Sequence, residues 1–516
     1  MKRTEQLFYL IQSLTKSEKR YFKVFASRHV IGNKNSYIKL FDLIVKQKEY
    51  DEAAIKKKLV NDENLRKNLS TIKVQLATLV LKSLRQYKSS LYKRYELREL
   101  MDFAHILYDK GLHDYSARTL EKAKKLAKDY DAFIYLDEIT SFEHMLVTKN
   151  ANYEQIEHFL DVTRLEGRKF RNFNEILATY EELESQIQFL TLKFHRIRSL
   201  HTAARFDEVM THEYLKKVPE DQPLLCQVKY HAIWADYYYV TRNGEKCVPH
   251  IEAVIALLER QPHVISDTPE EYVKYFKKYM NYTGSFGYYD AFDEAATKLE
   301  VFAESVAKEK FSINLTNEIL SSIYNMKLST WIERGDFKEG LKIAKEFEVD
   351  TRLSELFSIP SQEMVIRFNM SYVFLGMGDY KSALKSINLI LSTNYNQLRI
   401  DCQGFTRILN IILHFELGHY ELIDSLIKNT SRFLKSRNRD FGFELLFLRF
   451  AKNCLTVEKS KQNISCFEDF RDELLILFND PKEAIVLYYF DVIRWLDCQI
   501  KGDPFSEGEI TKRKIV

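Results

Sequence analysis

Apolar residues recur at helical spacing along almost the whole chain. In the first hundred residues the pattern predicts short helices followed by a long one. Leu14-Thr15-Lys16-Ser17-Glu18 offers capping residues ahead of an amphipathic segment that runs to about Arg28. His29 to Ser36 reads as a loop with a new cap at its end, and a helix to about Lys48 follows. Asp51 is placed to cap another helix through Leu59, and Asn61 to Asn64 form the next turn. From there Leu65, Leu69, Ile72, Leu76, Leu79, Leu84, Tyr87 and Leu91 keep a 3.6-residue period, which predicts one long amphipathic helix.

Beyond about residue 96 the pattern becomes a repeat. The clearest unit runs from Met370 to Ala383 and continues through Ile387 and Ile390. It carries Ser371, Phe374, the turn residue Gly378, Tyr380 and Ala383. Gly ends the first helix, the aromatic fills the angle between two helices, and Ala permits a close crossing. A second unit has Tyr324, Trp331, Gly335, Phe337 and Gly340. A third has Phe286, Phe292 and Ala295, with Asp290 at the expected turn position, and a fourth has His414, Gly418, Tyr420 and Ile423. Gly111, Tyr115 and Ala117 mark an earlier, degenerate unit.

These units resemble the tetratricopeptide-repeat-like α-solenoid superfamily. Their turns lie 45 (290 to 335), 43 (335 to 378) and 40 (378 to 418) residues apart, against roughly 34 in the standard unit, so longer helices are expected. The resemblance implies an all-α fold: a right-handed α-solenoid of stacked helical hairpins over residues 96–500, preceded by a small basic helical module at 1–95 and followed by a flexible tail at 501–516. Prolines at 219 and 223, and at 262 and 269, mark expected breaks or bends near 218–223 and 262–269. In that register Phe368, Tyr372, Leu375, Phe405, Ile408, Ile412 and Phe415 line the concave side. They form either a groove for an amphipathic helix or extended peptide, or the packing between neighbouring repeats.

Composition supports the helical reading. With 45% hydrophobic and 29% charged residues the chain is not wholly disordered, while 15 Gly and 8 Pro leave little material for the turns of an all-β fold. The first proline is Pro219. Six scattered cysteines, with no C-x-x-C pair, predict reduced thiols in a cytoplasmic protein. The apolar stretch Leu7 to Ile11 is too short for a signal-peptide core, and no apolar run approaches a membrane span.

Charge changes the picture at the N-terminus. Residues 1–100 hold 23 Lys and Arg against 10 Asp and Glu, whereas the remainder holds 54 against 63. On the long helix Arg66, Lys67, Lys73, Lys82, Arg85 and Lys88 are read as lying opposite the Leu/Ile stripe, with Lys56, Lys57 and Lys58 just upstream, a basic surface that would attract a phosphate backbone or an acidic protein. The helices near 36–48, 51–60 and 64 onward resemble a helix-turn-helix in their order. Against this, Asp62 and Glu63 stand at the start of the third, where carboxylates repel DNA.

The search for catalytic chemistry is negative. There is no H-E-x-x-H, no phosphate-binding G-x-x-x-x-G-K-[ST] and no G-x-S-x-G. Gly284-Ser285-Phe286-Gly287 falls one residue short of the last. His195 and His201 are six residues apart, about 120° out of line on a helix, so they do not read as a metal pair. Adjacent residues Tyr237, Tyr238 and Tyr239 cannot face one way on a helix, so packing is expected of them. The reading is a non-catalytic scaffold or adaptor that uses no cofactor or metal and takes a protein or peptide as partner. The alternative is a regulator whose residues 1–95 bind nucleic acid while its repeats sense a protein or peptide.

Overall fold

The computed structural model describes residues 5–28, 36–47, 49–59, 66–89, 91–150, 153–194, 200–308, 313–349, 360–395, 399–456 and 464–510. The fold is all-α, 84% helix, with no strand among the described residues. The N-terminal elements are α1 (Gln6–Gln12), α2 (Lys16–Ser27), α3 (Ser36–Val45), α4 (Glu52–Lys58) and α5 (Leu69–Ser89). Local chemistry sets their ends. Thr15 and Glu18 form a reciprocal capping box at α2, with Thr15 N to Glu18 Oε2 at 2.8 Å and Glu18 N to Thr15 Oγ1 at 3.2 Å. Asp51 caps α4 through Ala54 N. Leu7, Phe22, Phe41, Ile55, Leu76 and Val80 close a core of their own between these helices.

Next come α6 (Lys93–Asp109), α7 (His113–Asp129), α8 (Phe133–Asn150) and α9 (Tyr153–Phe194), then α10 (Leu200–Met210), α11 (Leu224–Val240), α12 (Gly244–Glu259), α13 (Pro262–Asp267) and α14 (Pro269–Ser285). At 42 residues α9 is about 63 Å long at 1.5 Å per residue. The helical run breaks at both proline clusters. Pro223 stands at the N-cap of α11, and Pro262 and Pro269 occupy first-turn positions where a missing N–H costs nothing.

The remaining helices are α15 (Tyr289–Lys308), α16 (Ile313–Arg334), α17 (Phe337–Val349), α18 (Pro360–Gly376), α19 (Tyr380–Ser392), α20 (Ile400–Glu416), α21 (Tyr420–Ser436), α22 (Gly442–Phe450), α23 (Ser465–Leu477) and α24 (Val492–Lys501). Most helices pack on a sequence neighbour. In addition α14 packs on α16, α16 on α18 and α18 on α20, the pattern of hairpins stacked side by side.

The hairpin turns share one device. Gly287, Gly335, Gly378 and Gly418 all have φ between 75° and 80°, and the N–H that follows each bonds back five residues, as from Asp379 N to Phe374 O at 2.9 Å. The third unit therefore turns at Gly287 and not at Asp290, which begins the next helix. Its spacing to Gly335 is 48 residues. Elsewhere glycine serves close packing. A Cβ on Gly376 would stand 2.5 Å from the Phe337 ring, so Gly376→Ala is expected to lower stability by about 1–3 kcal/mol in urea unfolding, through overpacking. An unchanged midpoint would show that the α17–α18 crossing yields.

Within the stretch expected to be a tail, residues 501–504 are exposed, while Phe505 is 7% exposed and stacks on Phe490, and Gly508 lies against Cys498 and Arg494. Residues 511–516 lie outside the described residues.

Candidate functional site

The basic N-terminal face is thinner than its composition suggests. Lys57, Lys58, Arg66 and Lys67 are exposed. Lys56 pairs with Glu52 at 2.9 Å, one turn away. Lys73 corrects the expected phase of α5: it follows buried Leu69 by four residues and precedes buried Leu76 by three, so it sits on the core stripe rather than opposite it. Its ammonium donates to Tyr50 Oη at 2.6 Å and to Glu52 Oε2 at 2.9 Å. Hydrogen bonds from Lys56 and Lys73 hold the Glu52 carboxyl down at about 2. Asp62, Glu63 and His195 lie outside the described residues.

Of the two readings of the predicted concave face, a partner groove or packing within the chain, its residues take the second. Phe368, Tyr372, Leu375, Phe405, Ile408, Ile412 and Phe415 are all at most 6% exposed. Their cover is the chain's own C-terminal segment. Phe405 stacks on Tyr489 at 4.2 Å, and Tyr372 meets Phe490 and Phe505 while its hydroxyl accepts from Asp491 N at 3.0 Å. Phe415 packs edge-on to Trp495, whose indole donates to Glu416 Oε1 at 2.8 Å. This segment buries Val486, Leu487, Phe490, Val492, Ile493, Trp495, Leu496 and Phe505. At about 1.5–3 kcal/mol each, burial holds it by roughly 10–20 kcal/mol. A micromolar partner supplies only about 8 kcal/mol, so the segment is part of the fold and not a displaceable occupant.

What remains open is a polar cleft of about 560 Å³ between α14, α16 and α18, walled at one end by Tyr488 and Tyr489. Asn281, Asn325 and Asn369 face it from three successive first helices. The Asn369 amide donates to Asn325 Oδ1 at 3.0 Å and to Ser329 Oγ at 2.8 Å. Four cations line the cleft, Lys274, Lys277, Lys278 and Arg399, against two carboxylates, Glu318 and Glu333. Further carboxylates stand behind them. Glu184, 3% exposed, accepts from Lys229 at 2.7 Å, Lys274 at 2.9 Å and Tyr275 Oη at 3.1 Å. Asp236 takes Lys278 at 2.7 Å together with the Tyr282 hydroxyl, and Asp401 holds Arg399. Burial pushes the Glu184 carboxyl up, but Lys229, Lys278 and Lys274 overcome it and hold the group at about 2. Lys274, Lys278 and Arg399 thus line the cleft with their carboxylates behind them, whereas Lys277 pairs at 2.8 Å with Glu318, which lines the cleft itself.

Of the partner-binding candidates read from sequence, Phe368 alone lines this cleft; Tyr239, Gly284, Ser285 and Phe292, noted there for other reasons, line it too. The asparagines were missed although their spacing is regular, 44 residues from 281 to 325 and 44 again to 369. That interval falls among the 48, 43 and 40 residues between successive turns and was the available signal. Tyr237, Tyr238 and Tyr239 are packing residues: Tyr237 bonds Asp207 and lies 5.6 Å from the Tyr238 ring, Tyr238 stacks on Trp234, and Tyr239 stacks on Tyr282.

Cys454 and Cys466 form a disulfide that joins the end of the α22 run to the start of α23. This corrects the expectation of six reduced thiols. Cys226, Cys247, Cys402 and Cys498 are free and buried. No described helix is long and apolar enough to cross a membrane. No protein-family model matches the chain, and no curated protein matches it in sequence.

Proposed function

We propose that the chain is a non-catalytic interaction scaffold, a right-handed α-solenoid of tetratricopeptide-like hairpins that holds an extended, acid-bearing segment of a partner protein in the cleft between α14, α16 and α18. The observation that carries this reading is the row Asn281, Asn325 and Asn369 on successive first helices. A primary amide donates and accepts at once, which matches a peptide group whatever its side chain. Lys277 beside the row pairs with Glu318, whose side chain is 46% exposed, a weak pair that a carboxylate on the segment can replace, and the cavity falls in the range of known ligand sites.

The test is fluorescence anisotropy of tagged hexaglutamate, with hexalysine as control, on the full chain. Hexaglutamate is expected to bind and to weaken as salt rises, and Asn325→Ala and Lys277→Glu are each expected to weaken it about tenfold, or ~1.4 kcal/mol. Absence of binding refutes the reading. Binding lost in a Lys57→Glu, Lys58→Glu double variant but kept in Asn325→Ala moves the site to the N-terminal module.

A further inference from the structure

A second cavity, of about 310 Å³, lies where α6 and the α7–α8 turn meet α11, α13 and α14, and shares the Glu184 cluster with the cleft through Lys229 and Tyr275. The junction is fixed by a contact across 174 residues. Tyr92 supplies no side-chain cap to α6, and the Asp267 carboxylate serves instead, accepting from Lys93 N at 2.8 Å and Arg94 N at 2.9 Å.

The cavity walls are mainly apolar, with Leu97, Leu126, Leu224, Val228, Leu258 and Val264 forming the body. Tyr130, Tyr135 and Tyr275 add aromatic surface. The size is about twice that of a roughly 150 Å³ apolar cavity able to take benzene, so it suits a two-ring molecule or a hydrocarbon of similar bulk.

Charge selects among such molecules. Every cation on the wall is engaged: Lys93 with Glu96 at 2.6 Å, Lys229 with Glu184 at 2.7 Å, and Arg94 over the rings of Tyr92 and Tyr95. Two wall carboxylates, Asp131 and Glu181, have no ion-pair partner among the described residues, and Glu271 has only Lys274 at 3.8 Å. Burial raises the Asp131 carboxyl, with only His263 opposing. Asp131 is half-buried and Glu181 exposed, and both line the cavity. Apolar walls, tyrosine faces and carboxylates lacking counter-ions are the combination that recognises an organic cation.

We infer that this cavity is a binding site for a small amphipathic amine, with its hydrocarbon body among Leu97, Leu224 and Val228 and its ammonium at Asp131 and Glu181. It does not depend on the peptide reading and survives if that reading fails.

The probes are naphthylethylamine and naphthylacetate, which share a body and differ in charge, titrated calorimetrically into the full chain. The amine is expected to bind with a Kd of roughly 0.1 mM, in keeping with its size, and the acid at least tenfold more weakly. Asp131→Asn with Glu181→Gln is expected to bring the amine down to the level of the acid. Asn tolerates the left-handed backbone at residue 131, where φ is 49°, so this variant keeps the turn. Leu224→Trp fills the cavity and is expected to abolish both. Equal binding of acid and amine, amine binding unchanged by the carboxamide pair, or no binding at about 5 mM amine overturns the site. If Leu224→Trp fails to fold, the carboxamide pair decides alone.

Discussion

Glu184→Gln is expected to lower the free energy of unfolding by about 3–5 kcal/mol, measured by urea denaturation at pH 7, because it strands the Lys229 ammonium, whose side chain is only 11% exposed. The amide still accepts from Tyr275, so the loss reports on charge and not on shape. Its pH dependence separates it from generic damage. In the native protein the carboxyl is held at about 2, below its unfolded value near 4.3, so the contribution is complete above about pH 4.5 and is lost as pH falls toward 2. In the variant that acid-side loss disappears. Lys229 then lacks the carboxylate that raises its pKa against burial, the folded state binds its proton less readily than the unfolded chain does, and stability rises with pH up to about 10.4. Replacing Glu184 and Lys229 together by Met is expected to recover much of the loss, since an apolar pair of similar volume needs no counter-charge. A double variant as weak as Glu184→Gln would show that Lys274 and Lys278 depend on the same carboxylate.

Local rules carried the sequence reading where the cause is local. The Thr15–Glu18 box, the Asp51 cap and the turn at Gly378 depend on residues within one helical turn, and each was legible. Lys73 shows the limit of counting by eye. Its charge suggested the outer face, yet its phase with Leu69 and Leu76 sets it inside, where Glu52 satisfies it. Long-range features left no such trace. Nothing near Tyr92 announces that Asp267 will cap α6, and nothing near Phe405 announces Tyr489. The amide row lies between these cases. Asn281, Asn325 and Asn369 are unremarkable one by one and informative only through their equal 44-residue spacing, which falls among the 48, 43 and 40 residues between successive turns. Seeking the apolar concave stripe instead of the polar one led to residues that prove to be core.

Trp495→Ala tests that last distinction with an effect as large as the first. Trp495, 1% exposed, meets Phe415, Phe450 and Phe467, and its indole shares Glu416 with Gln499. Truncation is expected to cost about 3–5 kcal/mol, from lost burial, the remaining cavity and a carboxylate short of one donor. If α24 instead rested on the array as a loosely held peptide, the change would cost under about 1 kcal/mol and leave Phe415 and Ile412 free to accept an apolar partner. Hydrogen exchange separates the two. A built-in segment loses protection together with α20, α22 and α23, which share its core, while the N-terminal core around Phe22 and Phe41 is unchanged. A peripheral one loses protection alone. Because Tyr488 and Tyr489 wall the polar cleft and precede α24 directly, hexaglutamate affinity is expected to fall in the same variant although no residue of the amide row has changed.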